Sequence, residues 1–411
     1  MKTLLETFFN HDFSGGDVSA RFFARSLTIP DLQKICAHIC QSSIDIGGKS
    51  IPAAIRIPGK NKGAPFAILA QLHGNEPAGL AGILLAMALS DAGKLDRDVI
   101  GIIGNPLAAQ QYFAAYDPAQ RQETRDAYRC GLDENGNLLP DGNRIPVDFL
   151  TRAEGTAHIK RSQELFHLAQ HISGILDIHS ARGNMLCITD HKHDRELKDS
   201  PIRSILTGLA EAISAHASAS VTVQTYKTII QNLPNIQHQT GIEAGRHEDP
   251  LAPENAASFT LSLLHTLGIT TEPPIFTREN GTLEAYRVQP RITYADLIPS
   301  SKTLREDDKI HMARHAEQGE TPLITLSDGR AFVAHQYDEM EPILKNQIVA
   351  VAIPSGTVFS APYDFSGIFL SKSAALYDKD PAVGPWPVAS ADLAKIKFCY
   401  PCKVEEMKIS F

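Results

Sequence analysis

The chain has 411 residues, 43% of them hydrophobic and 21% charged, with a formal net charge of -8 at pH 7. Such a length predicts roughly two to three domains with sizeable cores. The acidic balance excludes nucleic acid and anionic membranes as general partners, and six cysteines in this length do not make a disulfide framework.

Residues 1–60 read as a lead-in segment. Its start, Met1-Lys2-Thr3-Leu4-Leu5-Glu6-Thr7-Phe8-Phe9, is too short an apolar stretch for a secretory signal and is broken by Glu6. A cytoplasmic location is therefore expected. A helix is predicted near Ile29 to Ser42 and a strand around Ala53 to Ile57, and Asn61-Lys62-Gly63 reads as a turn. The apolar run from Pro65 to Leu72 reads as a buried strand. Behind it, Gly79 to Leu89 fits a buried helix with Pro77 in its first turn, too short to span a bilayer. Arg97 to Gly104 is a further strand, ending at Asn105-Pro106. Arg152 to His171 reads as a helix and Gly174 to His179 as a short strand. Asn184-Met185-Leu186-Cys187, just past His179, reads either as a strand with a polar first residue running beside the candidate site or simply as core. Pro201 to Ala217 and Glu254 to Leu267 read as helices, the second with Gly268 as a stop signal. Strands alternating with helices predict an α/β layer structure, in which ligands collect at the carboxyl ends of the strands.

The texture changes near Thr271-Glu272-Pro273-Pro274. Beyond it come short β-prone runs, Leu323 to Leu326, Ile348 to Ile353 and Gly367 to Leu370, separated by turn residues such as Ser327-Asp328-Gly329 and Pro354-Ser355-Gly356. The expected organisation is an α/β domain over 1–271 and a smaller, mostly β domain over 272–411 that covers the cleft. Cys36 and Cys40 stand one helical turn apart, and Cys399-Tyr400-Pro401-Cys402 has the spacing of a metal knuckle. With no second knuckle nearby, free thiols are the favoured reading.

The chemistry begins at His73-Gly74-Asn75-Glu76, directly after the Pro65–Leu72 run. Imidazole and carboxylate three positions apart in a tight turn can converge on one ion, although His-x-x-Glu is often only a hydrogen-bonded pair. A catalytic zinc takes three protein ligands and keeps one position open. His179, closing the second short strand 103 positions after Glu76, is placed to be the third. Asp177 and Asp141 are candidates to take the second ring proton of the two histidines. Asp141-Gly142-Asn143-Arg144 reads either as a polar turn or as a carboxylate-binding pair, Asn143 with Arg144. Glu243, within Gly241-Ile242-Glu243-Ala244-Gly245, reads either as an ordinary solvated glutamate or as a general base.

The order His-Gly-Asn-Glu, Asp-x-Asn-Arg, Asp-x-His and Gly-x-Glu-x-Gly resembles the succinylglutamate desuccinylase/aspartoacylase family of the zinc carboxypeptidase clan. The resemblance covers about residues 64 to 270, with a further similar segment at Ala374-Ala375-Leu376-Tyr377-Asp378-Lys379. It implies a mixed central sheet flanked by helices, with a smaller, mostly β C-terminal domain. It also implies one zinc ion (Zn2+) per chain on His73, Glu76 and His179, a substrate carboxylate held by Asn143 and Arg144, Glu243 as base and then acid, and Tyr377 reaching toward the substrate.

Two departures stand out. An insertion, Asp133 to Leu138, separates Arg129 from Arg144, so the arginine aimed at the scissile carbonyl is Arg129, Arg125 or Arg121. Leu233 lies where aspartoacylases carry an arginine that clamps a second carboxylate; Arg182, Arg246 and His247 are candidate substitutes. The implied function is a zinc-dependent amidohydrolase cleaving a small N-acyl amino acid or related carboxylate-bearing amide. A metallocarboxypeptidase acting on peptide C-termini and a non-catalytic binding protein with a relict zinc site are the alternatives. The expected partner is a small molecule, with no nucleic acid and no membrane, and homo-oligomerisation is left open.

Overall fold

A computed structural model describes residues 5, 17–24, 26–117, 128–137, 139, 141, 142, 150, 155–181, 186–190, 220–224, 236, 238–247, 249–274, 282–288, 292–300, 323–325, 328–334, 342–353, 355–368 and 397–410. The sequence readings at Asn143, Arg144, Pro201 to Ala217 and Tyr377, and those at Arg121, Arg125 and Arg182, lie outside the described residues.

The centre of the molecule is built from strands too apolar to face water on either side. β4 (Asn61–Ala70) is fully buried from Pro65 onward, and β5 (Arg97–Ile103) is buried from Val99 onward. They pair in parallel, and β4 also pairs in parallel with β6 (Gly174–Ala181), which pairs in parallel with β9 (His238–Arg246). Continuous apolar runs of this kind belong to parallel strands covered on both faces. β3 (Ala54–Ile57) closes one side of this group antiparallel to β5. On the other side, β7 (Leu186–Asp190) runs antiparallel to β9 and parallel to β8 (Ser220–Gln224). The sheet is therefore mixed, as expected.

The same sheet continues past residue 271. β10 (Thr282–Val288) lies parallel to β8, and the long β19 (Lys397–Ser410) lies antiparallel to β10. A second sheet of five short strands, between 298 and 360, is antiparallel throughout. A separate apolar cluster around Tyr294, Phe332, Ile343 and Phe398 serves this C-terminal part.

Two helices cover one face of the parallel group. α3, numbered after α1 (Val18–Phe23) and α2 (Ile29–Cys40), spans Gly79–Asp91 and is buried at every position from Gly79 to Leu89. Its sequence is apolar on all sides, so it must be enclosed, and α6 (Ala252–Thr266) encloses it. Each fully buried Leu or Ile in this layer stabilises the fold by about 1.5–3 kcal/mol. The remaining labels are α4 (Pro106–Ala115) and α5 (Ala157–Ala169). Gly268 ends α6 as foreseen. Its φ of 62° is left-handed, its N–H donates to the His265 carbonyl, and the next N–H, of Ile269, donates to the Leu264 carbonyl. This satisfies carbonyls that the helix end would otherwise leave open.

Two local expectations are corrected and a third is extended. Asn61-Lys62-Gly63 is not a turn but the start of β4, because the Lys60 and Asn61 N–H groups donate to the Leu95 and Asp96 carbonyls. That long-range pairing overrides local turn chemistry. Pro77 stands before α3 rather than within its first turn; Ala78 is the N-cap. Asn105-Pro106 ends a strand but also starts α4. The Asn105 side chain accepts from the Ala108 N–H, and Pro106 takes the first helical position.

The lead-in is part of the main core. Val18, Phe22, Leu32 and Ile35 join the cluster that contains α3. Glu272, buried, accepts from the Ser19 N–H and hydroxyl at 2.9 and 3.1 Å and pairs with Lys94 at 3.4 Å.

Candidate metal and catalytic site

The carboxyl ends of β4, β6 and β9 lie side by side, and the singled-out residues sit there. After β4 the chain bends at Gln71, a fully buried residue with φ of 49°. The left-handed region costs a residue with a Cβ about 1–2 kcal/mol. The bend throws the next residues out of the strand direction into the turn that carries His73 and Glu76. The Gln71 Nε2 donates to the Gly74 carbonyl at 2.9 Å, while the Gly74 N–H donates to the Arg129 carbonyl at 2.8 Å. Only glycine fits at 74, since a Cβ there would lie 2.4 Å from the backbone of Ala108 in α4. The turn is thus fixed from below by Gln71 and from the side by α4.

β6 supplies the third donor. Alternation along the strand puts Asp177 and His179 on one face. His179 Nδ1 lies 2.7 Å from Glu76 Oε2 and 3.2 Å from His73 Nδ1, and His73 Nδ1 lies 3.0 Å from Glu76 Oε1. All three side chains are buried. The far nitrogen of each ring meets a carboxylate. His179 Nε2 is 2.8 Å from Asp177 Oδ2, and His73 Nε2 is 3.1 Å from Asp141 Oδ1. With a cation bound, a carboxylate on Nε2 would favour the tautomer that leaves Nδ1 with its lone pair.

The donor set fits one divalent cation. With zinc–nitrogen bonds of 2.0–2.1 Å at tetrahedral angles, two donors stand about 3.3 Å apart. The Nδ1–Nδ1 distance of 3.2 Å is close to this value, whereas the two nitrogen–carboxylate distances of 3.0 and 2.7 Å are hydrogen-bond separations that a bound ion would lengthen. The inward-facing atoms are two imidazole nitrogens and carboxylate oxygens, the ligand types zinc takes.

The site is electrostatically tense. Burial alone would raise the Glu76 carboxyl, but His73, Arg129 and His179 around it hold it well below the ordinary carboxylate range. Burial alone would lower His179, but Asp177 and Glu76 hold it well above the ordinary imidazole range. Opposite charges at these distances outweigh desolvation on both groups.

Arg129 enters the same cluster. Its Nη1 donates to Glu76 Oε1 at 2.8 Å, and its Nη2 lies 2.9 Å from His73 Nε2. His73 Nε2 can accept from Arg129 or donate to Asp141, but it cannot do both. Of the three arginines the sequence left open, Arg129 is the one within the described residues, and it touches two of the candidate ligands.

Glu243 is reached through sheet register. In the β6–β9 pairing, His179 stands opposite Glu243 and Asp177 opposite Gly241. Neighbouring strands lie about 4.8 Å apart, and parallel partners project to the same face, so Glu243 stands beside His179. It is buried at 7% exposure, which removes the solvated-glutamate reading. On its other side Glu243 pairs with Leu186 of β7, the strand expected to border the site.

His247 follows β9. Its Nδ1 is 2.8 Å from the Ser180 hydroxyl, and the Ser180 N–H donates to Glu76 Oε2 at 3.4 Å. Sequence reasoning gave Gln71 no role. A non-glycine residue forced into a left-handed bend carries no local signature, whereas Gly74, three residues on, does.

No protein-family model and no curated protein matches this sequence. Solved structures do match. A succinylglutamate desuccinylase/aspartoacylase from Rhodobacter sphaeroides superposes with a TM-score of 0.51 at 14% identity, covering 87% of this chain and 90% of its own. A protein described as a member of the succinylglutamate desuccinylase/aspartoacylase family, from Shewanella amazonensis, gives 0.50 at 12% identity, covering 88% and 96%. At such identities the likeness speaks for architecture. The chain has the fold of this family, a mixed sheet flanked by helices with a β-rich C-terminal part. Among the described residues, no helix is long and apolar enough to cross a membrane.

Proposed function

We propose that this chain, built on that fold, is a zinc-dependent amidohydrolase. Its substrate would be a small N-acyl amino acid or a related carboxylate-bearing amide. One observation carries the reading: His73, Glu76 and His179, drawn from two strand ends, aim three donor groups at one point beside Glu243. Held there, zinc supplies Lewis acidity that polarises a carbonyl and acidifies water.

The protein's own groups do the rest. Glu243 takes a proton from the attacking water as the new carbon–oxygen bond forms. It returns that proton to the nitrogen as the carbon–nitrogen bond breaks, leaving a carboxylic acid and an amine, and the acid's proton then passes to the amine to give carboxylate and ammonium. When His73 holds a cation through Nδ1, its Nε2 carries the proton and donates to Asp141. Arg129, whose Nη1 donates to Glu76 Oε1, keeps its guanidinium beside the ligand cluster, where its charge would stabilise the carbonyl oxygen as that oxygen gains charge. Asn143 and Arg144, next in the chain after Gly142, would hold the substrate carboxylate and turn a diffusive encounter into an oriented one. Tyr377 is proposed to reach the substrate from the C-terminal part.

The test is metal analysis of the purified protein with a panel of N-acyl amino acids and C-terminally free peptides. Glu243→Gln should lower turnover by about 10²–10⁴-fold while metal content stays at one ion per chain. Full turnover in the metal-stripped protein, or in Glu243→Gln, would end the proposal. Turnover confined to the peptides would favour the carboxypeptidase alternative.

A further inference from the structure

The structure assigns a second binding cleft, which borders the metal turn at Pro77 and His247, to a small organic cation: an amine or quaternary ammonium carried on an apolar body. The cleft encloses about 750 Å³, within the range of about 300–1,000 Å³ that small-molecule pockets occupy. It lies where the α1–α2 corner, the last turn of α4 and the first turn of α6 meet beside Pro77.

Its walls are aromatic and acidic. Phe22 and Phe23 meet edge to face with ring centroids 5.2 Å apart, and Tyr112 and Tyr116 do so at 5.8 Å. Asp249 and Glu254 also line it, and among the described lining residues there is no lysine or arginine. Phe22 and Tyr112 are almost wholly buried, so Phe23 and Tyr116 present the accessible aromatic surface. A ring attracts a desolvating cation through its quadrupole, and the two carboxylates supply full charge.

A competing argument favours an anion, because the N-terminal ends of α2, α3 and α6 all border this cleft. Three such ends amount to roughly +1.5 elementary charges. That is outweighed. Asp31 already occupies the first turn of α2 and Glu254 that of α6, and Asp249 adds a third negative charge. A carboxylate or phosphate entering the cleft would meet this excess with, among the described lining residues, only His247 as a potential cation to offset it. A neutral apolar ligand would find the rings but gain nothing from the charge of Glu254 and Asp249.

The site needs no metal, so it stands or falls independently of the proposed reaction. The probe is phenethylammonium, titrated calorimetrically into the full chain as purified and again after chelator treatment. Its neutral counterpart 2-phenylethanol and its anionic counterpart phenylacetate serve as controls. Saturable 1:1 binding of phenethylammonium in both preparations is expected, at least tenfold tighter than the alcohol, with no binding of phenylacetate. Glu254→Gln and Tyr116→Ala should each weaken it severalfold. Equal affinity for ammonium and alcohol, binding that disappears with the metal, binding that survives both substitutions undiminished, or no saturable binding by millimolar concentration would each overturn the assignment. The charge selectivity of the unmodified chain decides the matter even where a variant fails to fold.

Discussion

Gln71 offers the sharpest test of how the metal turn is held. The residue is wholly buried in a left-handed bend, and its amide bonds the Gly74 carbonyl inside the turn. Gln71→Gly and Gln71→Ala both delete that bond, and leaving a buried carbonyl without its partner costs about 1–3 kcal/mol. They differ in the backbone. Alanine keeps the left-handed strain of about 1–2 kcal/mol, whereas glycine relieves it but gains about 0.5–1 kcal/mol of freedom in the unfolded chain. Glycine should therefore be the more stable variant by about 1 kcal/mol, the reverse of the usual order. Urea unfolding of the metal-stripped proteins measures this. Chelator competition then reads the turn itself. Both variants should bind zinc about tenfold more weakly, as loss of an orienting contact does elsewhere. If alanine proved at least as stable as glycine, the strain argument would be wrong. If both variants held zinc as tightly as the unmodified chain, Gln71 would have no hold on the ligands.

Three further outcomes follow from the same geometry. Asp177→Asn keeps an acceptor for His179 Nε2 but removes its charge, so zinc affinity by chelator competition should fall about 10–100-fold while the fold persists by circular dichroism. Gly74→Ala places a Cβ 2.4 Å from the Ala108 backbone; the turn must shift, and stoichiometric zinc by metal analysis should be lost. The pH dependence has a definite sign. His179 is raised in the folded state, so its stabilisation is complete below its ordinary value of 6.5 and is lost as pH rises through the raised value. Glu76 is depressed, so its contribution is complete above 4.5 and is lost as pH falls through the depressed value. These two groups therefore give the metal-stripped protein their full stabilisation between pH 4.5 and 6.5. Thermal unfolding across pH should show it decline on the alkaline side, and zinc should reverse that decline.

Much of the site was legible because its parts are local. His73 and Glu76 share one turn. Asp177 and His179 share one strand face through a period of two, and each pair carries its chemistry within four residues. Asp141 was legible only as one of two outer acceptors, since its approach to His73 is made by chain folding. Arg129 stayed one of three arginines because the Asp133–Leu138 insertion breaks the spacing. The fold followed the same rule. Gly268 stopped a helix through chemistry it carries itself. Asn61 to Gly63 instead took its conformation from residues 95 and 96, and no local signal announces such a partner.

Glu243 shows where local reading ends. Nothing around it in sequence distinguishes a base from a surface carboxylate; its place is set by strand register. His238 to Ile242 lie opposite Gly174 to Ile178, and this pairing brings Glu243 level with His179. A slip of one residue would turn every side chain of β9 to the opposite face, burying Glu243 where Ile242 now packs in the main core. The cost of burying an unpaired carboxylate in that layer amounts to several kcal/mol. The apolar core between α3, α6 and the sheet therefore holds the register that aligns the acid–base group with the metal ligands, so the position of the candidate catalytic carboxylate is a consequence of packing on the face opposite to it.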